Sequence, residues 1–397
     1  MRGVLRVGSM RLGVAVAVAG LLAAACGATG GPGAGETRAG SRAAPAASSA
    51  TPSPPSAPAP GPARSPLASI GPGEGEVSVL APGGYAEWGG TDPKVNWISG
   101  FEKSTGCKVT LRSYDPERSE EPGGFDPGSF DVIAAPPQVS GRLIAEGKVA
   151  PLNTGLIDGY GEIPKRLRTL PAVRQGDRVY GVPFLWGITE VLYDPVRANP
   201  AGRSALFSGA APALIKDSPM SIAEAALALR ERGEKIDDPY DLTPEQLERA
   251  VSLFRSGAQA LWRDPIEVVE GFASGTARLA LGTPYHRDVL RRGGRPIAAV
   301  PARPVTGWAD AWLVSAAAAH PSCAYQWLSW TLSAEVQRKA AAWNGLAPVN
   351  PEGCTGRTQR ICEIYRVGEP GAFDGVLFAV RPPGYAQWAE RWAELPR

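Results

Sequence analysis

Histidine is almost missing from this chain: His286 and His320 are the only two in 397 residues, far apart in sequence. Imidazole is the commonest metal ligand and the commonest proton shuttle near neutral pH, so both kinds of site lose their usual residue. Each histidine is read as a surface or loop residue. HExxH, GxSxG and calcium-loop patterns do not occur, so none of these signatures points to a zinc peptidase, serine hydrolase or EF-hand. Gly141–Lys148 has the outline of a phosphate loop. Its glycine spacing is one residue too long, and Val149 follows the lysine where Ser or Thr is needed, so it reads as a helix end. Asp237 and Asp238 adjoin Pro239 in a turn, which suits solvated carboxylates better than an acid/base pair. These absences argue against an enzyme, a metal site and a bound cofactor.

An excess of one charge is lacking too. Setting aside Arg2, Arg6 and Arg11 of the leader leaves 38 of the 41 Lys and Arg, against 39 Asp and Glu. A nucleic-acid partner would require a basic patch, so it is not expected. Beyond Val14–Ala25 no apolar run is long enough to span a bilayer, and that run is itself too short for a stable span.

What is present begins with those three arginines and the apolar stretch after them, which together read as a signal peptide over residues 1–25. Leu22-Ala23-Ala24-Ala25-Cys26 resembles a lipobox, with Ala23 where Leu is preferred. Cleavage before Cys26 and acylation of its thiol would fix the chain to the outer face of the cell membrane. The alternative is an ordinary signal peptidase site in which Cys26 is only a small residue. Residues 26–75 are dominated by Gly, Ala, Ser, Thr and Pro, too poor in apolar groups to offset the entropy of ordering. They read as a tether reaching on the order of 40 Å.

Four cysteines remain: Cys107, Cys323, Cys354 and Cys362. An even number in an exported chain favours disulfides, and four cysteines allow three connectivities. The pairing Cys323 with Cys354 is preferred here because it would pin a helical region to the tail. Buried free thiols are the alternative.

The remaining chain is long enough for two lobes. Val77–Leu80, Lys108–Arg112 and Phe130–Ala135 read as strands, with helices expected from Asp92-Pro93, carrying Trp97 and Phe101 inward, and over Val139–Glu146. Val179–Tyr193 is a long extended stretch broken by glycine and proline, as expected of a crossover between lobes. A second unit follows: strand Ala213–Lys216, helix Ser221–Arg232, a helix opened by the capping box Thr243-Pro244-Glu245-Gln246, and strands Ala277–Leu281 and Ile297–Val300. Trp308–Ser315 reads as a return crossover, followed by helices Cys323–Leu332 and Ala334–Asn344 and an aromatic helix over Tyr385–Leu395. The expected fold is therefore α/β with two lobes, hinge crossovers and a ligand cleft. The first lobe takes residues 76–187 and 308–345, and the second takes 188–307 and 346–397.

The cluster Trp308-Ala309-Asp310-Ala311-Trp312 carries the most chemical information. Alternation along a strand puts Trp308, Asp310 and Trp312 on one face. A carboxylate flanked by indoles suits an organic cation, since the acid supplies charge and acceptors while the rings attract the ammonium. The competing reading puts the tryptophans in the core.

Gly181–Thr189, Phe101–Val109, Phe130–Ile133 and Gly307–Asp310 together resemble the spermidine/putrescine-binding receptors of ABC importers, in order and spacing. The resemblance covers nearly all of residues 76–350, and Gly345–Asn350 is similar to that family's third crossover. It implies a periplasmic-binding-protein-like fold of type II, monomeric, which closes on a solute and delivers it to a membrane permease and, through it, an ATPase. Trp308 and Asp310 match the residues that grip the polyamine. The family's acidic pair falls on Met220 and Ala223, with Asp217 and Glu224 nearby. Its second-lobe tryptophan falls near Thr283, with Tyr285 as a substitute ring. Tyr85, Trp88 and Trp186 complete the candidate lining. A diamine needs an acid at each end, so a betaine-like or monoamine cation is the rival ligand. An anion held by Arg287 or helix N-termini, and a sensory or scaffold role without transport, are further alternatives.

Replacing the acylated residue, Cys26→Ala, is expected to abolish lipid attachment and release the protein into the medium. Retention of the variant in the membrane fraction would place the anchor elsewhere.

Overall fold

The computed structural model describes residues 65–119, 124–257 and 259–396; the expected leader, Cys26 and the tether through residue 64 lie outside the described residues. The part of the expected tether from Leu67 onward is docked instead. Leu67 and Ile70 pack against the first-lobe core, and the Leu67 carbonyl accepts from Asn153 Nδ2 at 3.1 Å. Glu74 caps the helix Pro321–Leu332, accepting from the N–H groups of Ser322 and Cys323 at 2.8 Å each. Unpaired N–H groups at a helix start attract a carboxylate, and this one ties the incoming chain to the fold.

Short apolar strands interleaved with amphipathic helices build two sheets. The first runs Ala347–Pro348, Gly181–Ile188, Val305–Val314, Val132–Ala135, Glu76–Ala81, Lys108–Ser113, with Val376–Phe378 beside the start of Val305–Val314. The second runs Ala298–Ala299, Glu190–Tyr193, Leu279–Gly282, Ala213–Lys216, Gln259–Trp262. The chain leaves the first sheet at Thr189 and returns to it at Val305, so the expected two-lobed α/β fold is present. Gly181–Ile188 lies between two neighbours although Pro183 has no N–H to give. The register with Val305–Val314 slips there, between Asp310 and Ala311, as expected for a proline inside a sheet.

Helices fill both faces. In the first lobe Phe101, Trp327, Trp312 and Phe184 stack edge to face with centroids 5.1, 5.5 and 5.6 Å apart, each such pair adding about 0.5–1.5 kcal/mol beyond burial. Trp312 is thus core, as the competing reading of the pentapeptide held. In the second lobe Phe207, Phe254 and Trp392 form a similar chain.

Several boundaries differ from expectation. Asp92 does not start a helix; its carboxylate folds onto the Lys94 N–H in a turn, and the helix begins at Ile98. Helices Pro265–Ser274 and Pro284–Arg292, each opened by a capping box at Asp264 and Thr283, were not foreseen. His286 is the partner of Thr283 in that box and is buried, not a surface residue, and burial pushes its pKa down to about 4. Residues 346–378 do not belong with the second lobe. Ala347, Val349, Ile361, Tyr365, Val376 and Phe378 lie in the first-lobe core, Arg360 reaches across to Asp288 of the second lobe at 2.7 Å, and the last helix, Tyr385–Ala393, packs on the second lobe through Trp388 and Trp392.

The disulfides also differ. Cys107 pairs with Cys323, and Cys354 with Cys362. The contact of Phe101 with Trp327 lays helix Ile98–Thr105 beside Pro321–Leu332, which brings Cys107 onto the first turn of the latter. Cys354 finds Cys362 only 8 residues on. Chain entropy gives about 5 kcal/mol for the long loop and about 2.5 for the short one. Removing Cys107–Cys323 as a double alanine variant should therefore lower the denaturation midpoint more than removing Cys354–Cys362, as read by guanidinium titration.

Candidate ligand-binding cleft

In open α/β sheets the ligand crevice lies beyond the carboxyl ends of the strands, and these ends gather the charged side chains here. Glu76–Ala81 and Val132–Ala135 run parallel. The antiparallel strand Val305–Val314 pairs Ala311 with Ala135, so Asp310 stands just past the end of Val132–Ala135. Tyr85, on the loop after Glu76–Ala81, reaches over that edge. In the second lobe the equivalent edge is the end of Ala213–Lys216. The two edges meet: Lys216 Nζ lies 3.0 Å from Glu117 Oε1, and Ser218 Oγ donates to Glu117 Oε2 at 2.7 Å. Glu117 belongs to the short turn Pro116–Arg118 that follows Lys108–Ser113.

Asp310 is 6% exposed. The Tyr85 hydroxyl donates to its Oδ2, whereas Oδ1 has no hydrogen-bond partner among the described residues. Burial pushes the carboxyl up to about 6, against the opposing pull of Tyr85, Lys216 and Trp308. Tyr85 is itself pushed well above the ordinary tyrosine range by burial and by Asp310, so it stays a donor. Tyr114, raised in the same way, donates to the Ala134 carbonyl at 2.7 Å. Trp308 is half-buried and packs toward the second-lobe core, with its ring over Gly187. A Cβ on Gly187 would come within 2.6 Å of that ring, so glycine is required.

Tyr85, Trp308 and Asp310 are therefore brought together, and the other candidates are not. Trp186 is buried, donates to the Pro348 carbonyl at 3.1 Å and packs edge to face on Tyr365 and Phe373. It fastens Ala347–Pro348 to the sheet and belongs to the core. Trp88 is 63% exposed and folds over Gly90 in its own loop. Tyr285 packs its ring on Gly345, whose φ of 64° and close contact admit no side chain, so it serves the join between lobes.

The acids near the expected second anchor are engaged. Asp217 accepts from Arg263 Nε at 2.7 Å and Trp392 Nε1 at 2.8 Å. Glu224 is buried, paired with Arg203 at 3.0 Å, and accepts from Thr189 at 2.8 Å and from Thr306. Ala223 is core. Arg287, the expected anion partner, is doubly bonded to Glu190 at 2.7 and 2.9 Å. Sequence reasoning missed Lys216 and Glu117. The signal for Lys216 was available, since it is the last residue of a correctly placed strand and hence lies at a carboxyl end.

A family model described as bacterial extracellular solute-binding protein matches residues 96–353. The chain belongs to that family. It is a solute-binding protein of the extracellular side and not an enzyme. Among solved structures it is similar to a putative spermidine/putrescine ABC transporter protein of Listeria monocytogenes, with TM-score 0.64 and 16% identity over 81% of this chain and 99% of that one. A GABA receptor superimposes with TM-score 0.62 and 19% identity, over 80% and 96% of the two chains. A lipoprotein of Treponema pallidum does so with TM-score 0.60 and 13% identity, over 81% and 99%. These likenesses give the solute-binding protein the two-lobed periplasmic-binding-protein fold.

The raised Asp310 has a consequence for the ligand-free protein. Its carboxyl titrates near 6 when folded and near 3.8 ordinarily, so the native state binds the proton more tightly. The associated stability is complete below the lower value and is lost as pH rises through the upper one, a loss of roughly 3 kcal/mol at most. Asp310→Asn should therefore gain stability relative to the parent on going from about pH 4.5 to about pH 7.5, as followed by calorimetry without ligand. An equal difference at both pH values would contradict the assignment.

Proposed function

We propose that this protein is a lipid-anchored receptor of an ABC-type importer that captures a small organic cation by its ammonium group and hands it to a membrane permease. The observation that carries the reading is Asp310, a buried carboxylate with one oxygen held by Tyr85 and the other making no hydrogen bond of good geometry among the described residues. An ammonium approaching Oδ1 would supply the missing hydrogen bond and relieve the desolvation that raises the carboxyl. Trp308 lies beside it as an aromatic face for the methylenes next to the charge. Tyr85, Trp308 and Asp310 come from the first lobe and the edge ending at Lys216 faces them, so closure would exchange solvent for protein on both sides of the solute. Cys26 and the Pro-rich segment after it support the anchor, which would hold the receptor close to its permease.

Similar structures include proteins named for amines, both spermidine/putrescine and GABA. A polyamine is the second reading, favoured by the match of Trp308 and Asp310 to the polyamine grip. A single ammonium fits better, because Asp217, Glu224 and Glu117 are committed to Arg263, Arg203 and Lys216 and offer the far end of a diamine no uncommitted charge.

A thermal-shift and calorimetric panel of putrescine, spermidine, choline, betaine, simple monoamines and simple anions tests the class. Cations should stabilise the protein and anions alone should not. Asp310→Asn should weaken the bound cation by about 1.5–3 kcal/mol, the range for a charged hydrogen bond. Protonation of Asp310 competes with the cation, so affinity should fall as pH drops below about 6. Affinity indifferent to both changes would remove Asp310 from the site.

A further inference from the structure

We infer that the cleft has a second, positive pole, made by Lys216 and Ser218, which seats a carboxylate, so that the solute is a zwitterion with an ammonium at one end and a carboxylate at the other. This rests on Asp310 as the ammonium anchor and adds the opposite half of the ligand.

The seat is occupied by a carboxylate in this structure, that of Glu117. One oxygen lies 3.0 Å from Lys216 Nζ and the other accepts from Ser218 Oγ at 2.7 Å, so both carboxylate oxygens are used. Glu117 comes from the opposite lobe, on a short turn, while the two groups that hold it come from the end of one strand. Ser218 also accepts from the Met220 N–H at the start of the Pro219–Ser221 turn that leads into helix Ile222–Glu231, which orients its hydroxyl. The Lys216 side chain is 47% exposed. Glu117 is 20% exposed; an ion pair whose lysine stands half in water gains little from the contact, so an incoming carboxylate can take the place of Glu117.

The rest of the cleft agrees in sign. The second-lobe acids near this edge, Asp217 and Glu224, are already paired with Arg263 and Arg203. Lys216 and Asp310 act on one another electrostatically as opposite charges of one cleft, together with Glu117 and Asp115. An ammonium and a carboxylate joined by a short aliphatic chain would satisfy both poles, with Trp308 against the chain. A diamine would set its second ammonium against Lys216.

The test uses the mature protein and matched probes of three to six carbons: n-alkylamines, α,ω-diamines, ω-amino acids and the corresponding fatty acids. Calorimetry should show one ω-amino acid binding at least tenfold tighter than the amine and the diamine of its length. Lys216→Met should remove that advantage while leaving the amine within about threefold, a change small beside an anchoring contact. Glu117→Gln should tighten the ω-amino acid by removing the competing carboxylate. The proposal is overturned if diamines bind as well as ω-amino acids, if Lys216→Met leaves the preference intact, or if Glu117→Gln weakens the ω-amino acid. Amine binding that depends on Asp310 but ignores Lys216 would sink the carboxylate seat and keep the ammonium anchor. Fatty-acid binding lost in Lys216→Met, with amines inert, would do the reverse, and inert probes of every kind would sink both.

Discussion

The hinge depends on one buried charge. Glu224 sits in the second-lobe core and accepts from Thr189 and Thr306, the residues at which the chain crosses between the sheets, while Arg203 neutralises it from 3.0 Å. Arg203 in turn donates to the Pro304 carbonyl at 2.7 Å, on the return crossing. A carboxylate this deep is stable only with its cation and its donors in place, so both crossings are held to one point. Packing repeats the constraint where Trp308 lies over Gly187 and Tyr285 over Gly345. The lobes thus meet through a few fixed contacts, leaving the carboxyl ends of both sets of strands facing one another.

That arrangement decides what kind of chemistry the cleft can hold. Of the second-lobe acids, Glu224 is the one that fixes the hinge, and Asp217 is tied to Arg263 and Trp392. Negative charge available to a solute is therefore concentrated on Asp310, and the facing edge carries Lys216. Glu117 bridges that edge to the first lobe, so the closed contact between lobes is itself electrostatic and weak enough to open.

Much of this was legible in the sequence, and the reasons for the rest are specific. Strand Ala213–Lys216, helix Ala334–Asn344 and the capping box at Thr243 were read directly, because period, β-branching and cap residues agree there. Pro265–Ser274 and Pro284–Arg292 carry equally good boxes, at Asp264 and Thr283, but they lie close to apolar segments that compete for the strand reading. The disulfides were misjudged because pairing follows the contact of two helices far apart in sequence, which no local pattern encodes. Residues 346–378 were misplaced for the same reason, since Trp186 draws Ala347–Pro348 to the first sheet. Trp308 and Asp310 were singled out because strand alternation puts them on one face; the same alternation took Trp312 with them, and Trp312 proves to be buried in the core.

A carboxyl raised to about 6 and touched by a tyrosine is also how a general acid looks, and the geometry separates the two roles. Burial and the facing Asp310 hold Tyr85 well above the ordinary tyrosine range, so the proton between them stays on the phenol and neither group is poised to pass it on. One carboxylate oxygen is occupied by that fixed donor, and the other makes no hydrogen bond of good geometry among the described residues, with Trp308 the nearest influence on it. Such a site has its electrostatic strain relieved by a cation and gains little from a reacting bond. On the proposed reading, the cost of burying Asp310 in the ligand-free protein becomes selectivity for positive charge when the lobes close, which is what a capture protein requires and what a catalyst would direct to a transition state.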